Sequence, residues 1–179
     1  IFQIDSVKTT DSLGEVKYVG ERKIIRYATY EYTPAKVVNN SIANENVNYL
    51  TINRGSNDGI KPGDAVISSY GIVGRIANVN SHFATVMSVL SKGERKVSVH
   101  LPSGKNEFIH WDGNSPDYVV IDKLSPTTKI AVKDSIYTTG LGTYPENTLV
   151  GHVAKIDTIE ASGTINLKIK LATDFKKLG

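Results

Sequence analysis

Along most of this chain the apolar residues recur at every second position. In TINLKIKLA, Ile165, Leu167, Ile169 and Leu171 share one parity, and Thr164, Asn166, Lys168 and Lys170 share the other. That alternation predicts a strand with one face in a core. KVSVHL repeats it, with Val97, Val99 and Leu101 inward and Ser98 and His100 outward. NEFIHWD, DYVVID, DSIYTT, TLVGHVAKI and FATVMSVL are apolar, β-branched or aromatic and read the same way. YATYEYTPAKVV also reads as extended, with Pro34 at a strand start or an edge because it lacks a ladder donor. ERKIIRYATY could form a turn or two of helix, but its β-branched and aromatic content favours strand.

Turn signals punctuate these runs: NDG (Asn57 to Gly59), KPGD (Lys61 to Asp64), SYG, LPSGKN and WDGNSPD. Short strands at such spacing predict an all-β barrel or sandwich. Between Asn48 and Ile76, Gly55 and Gly59 flank a turn containing Asp58, and Pro62-Gly63 makes a type II corner. Asp64 is placed to accept backbone N–H groups beside that corner, and Tyr70-Gly71 makes the next tight turn. Gly74 then falls inside a strand, where glycine marks a sharp bend or a close backbone approach. A second stretch echoes the first. IKPGDAVISSYGIVGRI (60–76) resembles VKDSIYTTGLGTYPENTLVGHV (132–153), with Lys61 aligned to Lys133 and Gly74 to Gly151. The second copy carries the longer loop GLGTYPEN, which contains Gly140 and Pro145. Two barrels, each built on a glycine-kinked hairpin, would explain the echo.

The 179 residues suit one large or two small domains and need no staples to hold a core. The absence of cysteine excludes disulfides and thiol chemistry. With 21 basic and 18 acidic residues, the net charge of +3 gives no nucleic-acid footprint. KGERK (Lys92 to Lys96) and DFKKL (Asp174 to Leu178) read as a solvated turn and a frayed end. No apolar run is long enough to span a bilayer as a helix. The chain opens on IFQIDSV without a signal peptide, as a piece of something longer would.

Catalytic chemistry finds little support. His82, His100, His110 and His152 show no metal-ligand spacing, although His100 and His110 could meet across strands. His82, Asp112 and Ser115 are the residues available for a triad, but Pro116 follows the serine and has no N–H for an oxyanion hole. GLGTYP is not a phosphate-binding glycine loop. The aromatics at turns remain. Phe83 and Trp111 are read as barrel plugs, whereas Tyr70 and Tyr144 serve equally well as plugs or as partner anchors.

The stretch NYLTINRGSNDGIKPGDAVISSYGIVGRIANVNSHFATVMSVL resembles the core signature of the MreC family of bacterial rod-shape determinants. Asn53, Arg54, Gly55, Ser56, Asp58, Gly59, Gly63, Val66, Gly71, Val73, Gly74, Phe83 and Val86 carry the likeness. DSIYTTGLGTYPENTLVGHVAKI resembles the family's second signature, with Asn147 where glycine is usual, a substitution the turn should tolerate. The resemblance implies two small β-barrels of about five or six strands each, preceded by an extended segment. From similar strand counts, a lead-in is expected over 1–33, a first barrel over 34–81 plus 157–179, and a second over 82–156. The resemblance further implies a non-catalytic scaffold of the cell-elongation machinery that needs no cofactor. Its place would be the extracytoplasmic face of the cytoplasmic membrane, anchored there in the full-length protein. The implied partners are a penicillin-binding transpeptidase, MreD and the MreB-linked complex, with self-association open. A stand-alone peptide- or glycan-binding module is the alternative, and a two-barrel hydrolase the more remote one.

Overall fold

The computed structural model describes residues 4–10, 17–19, 22–24, 29–42, 46–94 and 96–178. Among the described residues there is no α-helix. In chain order the strands are β1 (Ile4–Thr10), β2 (Lys17–Val19), β3 (Arg22–Ile24), β4 (Thr29–Ala35) and β5 (Val37–Ser41). They continue with β6 (Tyr49–Ile52), β7 (Ala65–Ser68), β8 (Ile72–Val79), β9 (Ala84–Ser88) and β10 (Val97–His100). The last are β11 (Asn106–Ile109), β12 (Tyr118–Leu124), β13 (Ser135–Thr139), β14 (Glu146–Ile159) and β15 (Thr164–Leu171). Short 3-10 turns lie at Ser56–Asp58 and Phe175–Lys177.

One sheet runs β4-β1-β7-β8-β9-β6-β5 and a second β11-β10-β13-β14-β15-β12, while β2 and β3 form a separate hairpin. The second sheet closes on itself. His110 N donates to Val120 O at 3.1 Å and Val120 N to His110 O at 2.9 Å, joining the end of β11 to β12. All-β architecture with small barrels is thus as the sequence predicts. The alternation holds as well: Ile165, Leu167, Ile169 and Leu171 are buried, as are Val97, Val99 and Leu101. Pro34 sits in β4, an edge strand, where no ladder donor is missed.

The division along the chain differs from the expected one. Cuts at 81/82 and 156/157 pass through the β8–β9 and β14–β15 hairpins, whose short loops force each pair to be antiparallel neighbours. The first sheet therefore keeps β9, and the second spans Val97 to Leu171. The expected lead-in is also partly sheet. β1 pairs with β7 and with β4, covering a β7 edge that would otherwise offer unpaired N–H and C=O groups. Residues 1–3, 11–16, 20–21 and 25–28 of that lead-in lie outside the described residues. The DFKKL segment is not frayed. Phe175 and Leu178 are buried, and Asn40 Nδ2 donates to their carbonyls at 2.9 and 2.8 Å. Only the tail of the expected 157–179 segment thus returns to the first sheet.

The sequence echo is a structural repeat. Asp64 Oδ2 accepts from Lys61 N, and Asp134 Oδ2 accepts from Ala131 N, both at 2.8 Å. Gly63 N donates to Ile76 O, and Lys133 N to Val153 O. Lys133 therefore matches Gly63, not Lys61, and it adopts the same left-handed conformation, with φ of 78° against 94°. Each following hairpin carries a bulge, at Val73 and at Val150. The carbonyl of each bulged valine accepts a hydrogen bond from the segment after the next strand, Val89 N and Ala172 N, both at 3.0 Å. A second bulge follows in each unit, at Ala77 and at Ala154.

The two glycines the sequence singles out sit beside these bulges, and they are close approaches. A Cβ on Gly74 would lie 2.2 Å from Met87 O, and one on Gly151 2.0 Å from Lys170 O. Real Cβ atoms do not come so near a carbonyl, so the neighbouring strand can pack only where no side chain exists.

Candidate partner-binding surface

The remaining predicted turn residues shape the loops. Asp58 Oδ2 accepts from Gly55 N at 2.9 Å and closes the first turn, with Gly59 as its left-handed cap. Gly71 leaves no room for a Cβ against Leu149 O of the second barrel, 2.4 Å away. Gly140 is left-handed beside Glu146. The Pro145 carbonyl accepts from the Thr138 and Thr148 hydroxyls. Asn147 takes φ of 61°, so the turn survives without glycine, as expected.

The hairpin loops that carry Tyr70 and Tyr144 both face the junction between the two units. Near the first loop, Ser68 Oγ is 3.0 Å from Thr173 Oγ1. Tyr70 is 54% exposed. Tyr144 is only 7% exposed, which corrects its reading as a loop-tip anchor in favour of a plug. It lies by Glu94 of the connecting segment and Arg75 of β8, which are joined by a 2.5 Å ion pair. Burial, reinforced by the Glu94 carboxylate and opposed by Arg75, pushes the Tyr144 phenol well above its ordinary range. Trp111 is buried and donates Nε1–H to Ser115 O, a plug as predicted. Phe83 is 45% exposed in the β8–β9 turn and plugs nothing.

The pattern reading leaves another surface unmarked. On the outward face of the second barrel, His100 of β10 lies between Asn106 of β11 and Tyr137 of β13. In the next row, Ser98 lies opposite Phe108. Phe108 and Tyr137 are exposed, and Leu141, in the loop after β13, joins them. His100 Nε2 stands 3.8 Å from Glu146 Oε1 at the side of this apolar set. The signal was present: in NEFIHW and DSIYTT, Phe108 and Tyr137 have the parity opposite to buried Ile109 and Ile136. Aromatic residues on an outward parity have no core role and are candidates for contact.

His82, Asp112 and Ser115 are not brought together. His82 lies in the β8–β9 turn of the first unit, whereas Asp112 and Ser115 lie in the loop between β11 and β12. Asp112 accepts from Asn114, and Ser115 Oγ accepts from Asp117 N. The register also keeps His100 and His110 at opposite ends of the β10–β11 ladder, and His110 pairs with Asp122 at 3.2 Å. Among the described residues no three His, Cys, Asp or Glu side chains gather to hold a metal ion. No helix among them is long and apolar enough to cross a membrane.

Residues 37–179 match the family model described as the rod shape-determining protein MreC, barrel core. The chain belongs to the MreC family. MreC proteins are non-enzymatic determinants of cell shape. The cell shape-determining protein MreC of Listeria monocytogenes is 27% identical over 162 residues, covering 87% of this chain and 54% of that protein. The chain spans about half the length of the curated relatives it matches. Two solved structures share its fold at 18% identity. MreC from Pseudomonas aeruginosa has a TM-score of 0.73 and covers 80% of this chain and 92% of that one. The other is a complex between penicillin-binding protein PBP2 and MreC from Helicobacter pylori, with a TM-score of 0.60 and coverage of 83% and 92%.

Proposed function

We propose that this chain is a non-catalytic, extracytoplasmic scaffold module of the cell-elongation machinery. It binds a penicillin-binding transpeptidase through the outward face of its second barrel. Partnership with MreD and the MreB-linked complex, membrane anchoring through the rest of a longer protein, and self-association belong to the same reading. Membership of the MreC family supports it, as does the solved neighbour in which a relative is held by PBP2. The observation that carries it is the set of exposed apolar side chains Phe108 and Tyr137 on the outward face of the second sheet, with Leu141 in the loop after β13. Aromatic side chains bury large areas and dominate interface energetics. Tyr70, exposed at the junction of the two units, is a second candidate contact.

The test is the affinity of the purified chain for a penicillin-binding transpeptidase ectodomain, measured by biolayer interferometry. Phe108→Ala with Tyr137→Ala is expected to weaken binding by roughly tenfold or more, with unchanged thermal stability. Tyr70→Ala, measured alone, reports on the second contact. Unchanged affinity in the double variant removes this face. Failure of the native chain to bind any such enzyme removes the transpeptidase assignment.

A further inference from the structure

The connecting segment between the two units walls two concavities that meet at Glu94, Lys96 and Val97. The larger, about 470 Å³, opens over Trp111 and Ile109. The smaller, about 90 Å³, lies under the 141–144 loop, against Ser98, Thr138 and Tyr144. Ser98 is an outward-parity residue, yet this loop leaves it only 4% exposed. Two polar atoms on the wall of the smaller cavity are buried and lack a hydrogen-bond partner: Glu94 Oε2 and Ser98 Oγ. Glu94 is held by Arg75 through its other oxygen only, and its side chain is 8% exposed. A buried carboxylate oxygen without a donor is costly, and the cavity exceeds the space that one water needs.

The charges around it select the kind of donor. Arg75 already neutralises Glu94, and Lys96 stands at the rim. A second cation would therefore meet net positive charge, and an anion would be repelled by the open carboxylate oxygen. A neutral group with two N–H donors satisfies both orphan atoms without adding charge. We propose that this cavity is a binding site for a neutral primary carboxamide, whose two N–H groups donate to Glu94 Oε2 and Ser98 Oγ. The carboxamide oxygen then faces the hydroxyl of Tyr144 or the ammonium of Lys96.

Amide ¹H–¹⁵N titration of the whole chain tests this with three probes: acetamide, N,N-dimethylacetamide and methylammonium chloride. Acetamide should give saturable shifts at Val97, Ser98 and Tyr144, whereas the other two should not. Ser98→Ala is expected to weaken acetamide binding about fivefold, and Glu94→Gln, which turns a donor toward the cavity, by more than tenfold. Ser98→Ala preserves the fold even if Glu94→Gln does not, so the site remains testable. Equal shifts from the dimethylated amide, or no saturable shift at molar acetamide, would show a water-filled gap and overturn the proposal.

Discussion

Gly151 shows how much one missing methyl group decides. Its Cα faces Lys170 O across the β14–β15 ladder at a distance that a Cβ would reduce to 2.0 Å. Gly151→Ala must push the strands apart next to the Val150 bulge. We expect it to cost about 3 kcal/mol or slightly more, by analogy with overpacked cores. Urea unfolding monitored by circular dichroism should show the lower midpoint with an unchanged slope. Gly63→Ala makes the contrast, since its Cβ would meet nothing within 4 Å and only its φ of 94° resists. Gly74 and Gly151 were legible in the sequence because glycine inside an alternating strand has few explanations. Tyr144 was not. Its loop position is written in TYPEN, but its buried surroundings bring in Glu94 and Arg75, far away along the chain.

At the scale of elements, hairpins were legible and their grouping into sheets was not. Alternation and turn residues locate β13, β14 and β15, whereas pairing depends on which edges remain open once neighbours have joined. Equalising strand counts ignored that a two-strand hairpin is indivisible, and so it misplaced β9 and β15. The C-terminal turn makes the same point. Nothing local in DFKKL announces that Phe175 fills a site beside β5. With Phe175 only 1% exposed, Phe175→Ala should cost about 3–5 kcal/mol. Hydrogen exchange should then quicken at β5 and β6 before β14 and β15. Uniform acceleration across both sheets would contradict this. Beside Phe175, Asp174 accepts a hydrogen bond from the Lys177 side chain, which holds its carboxyl below the usual range.

For the whole molecule, the junction of the two units buries one titratable side chain that bears on its stability. Tyr144 is neutral where it lies, because burial and Glu94 disfavour the phenolate. Its folded pKa is raised, so the stability it contributes is complete below the unfolded value of about 10 and falls as pH rises beyond it. Alkaline melts should therefore show a loss of stability above about pH 10 that Tyr144→Phe reduces. A variant with the same alkaline slope as the native chain would place the titrating group elsewhere. The fold family was readable from motifs because they specify turns that every member must make. The outward faces, where partners meet the barrels, are free of that demand, and only strand parity hinted at them.

The clasp between Asn40 and the carbonyls of Phe175 and Leu178 has a mechanical side. It sets the two ends of the barrel pair next to each other, although 135 residues of chain separate Asn40 from Phe175. Tension applied at Val37 and Leu178 thus loads these two hydrogen bonds together with the β5–β6 ladder and the buried Phe175 and Leu178 side chains. The second barrel hangs beside that line of force as a slack loop, and it keeps its shape until the clasp gives way.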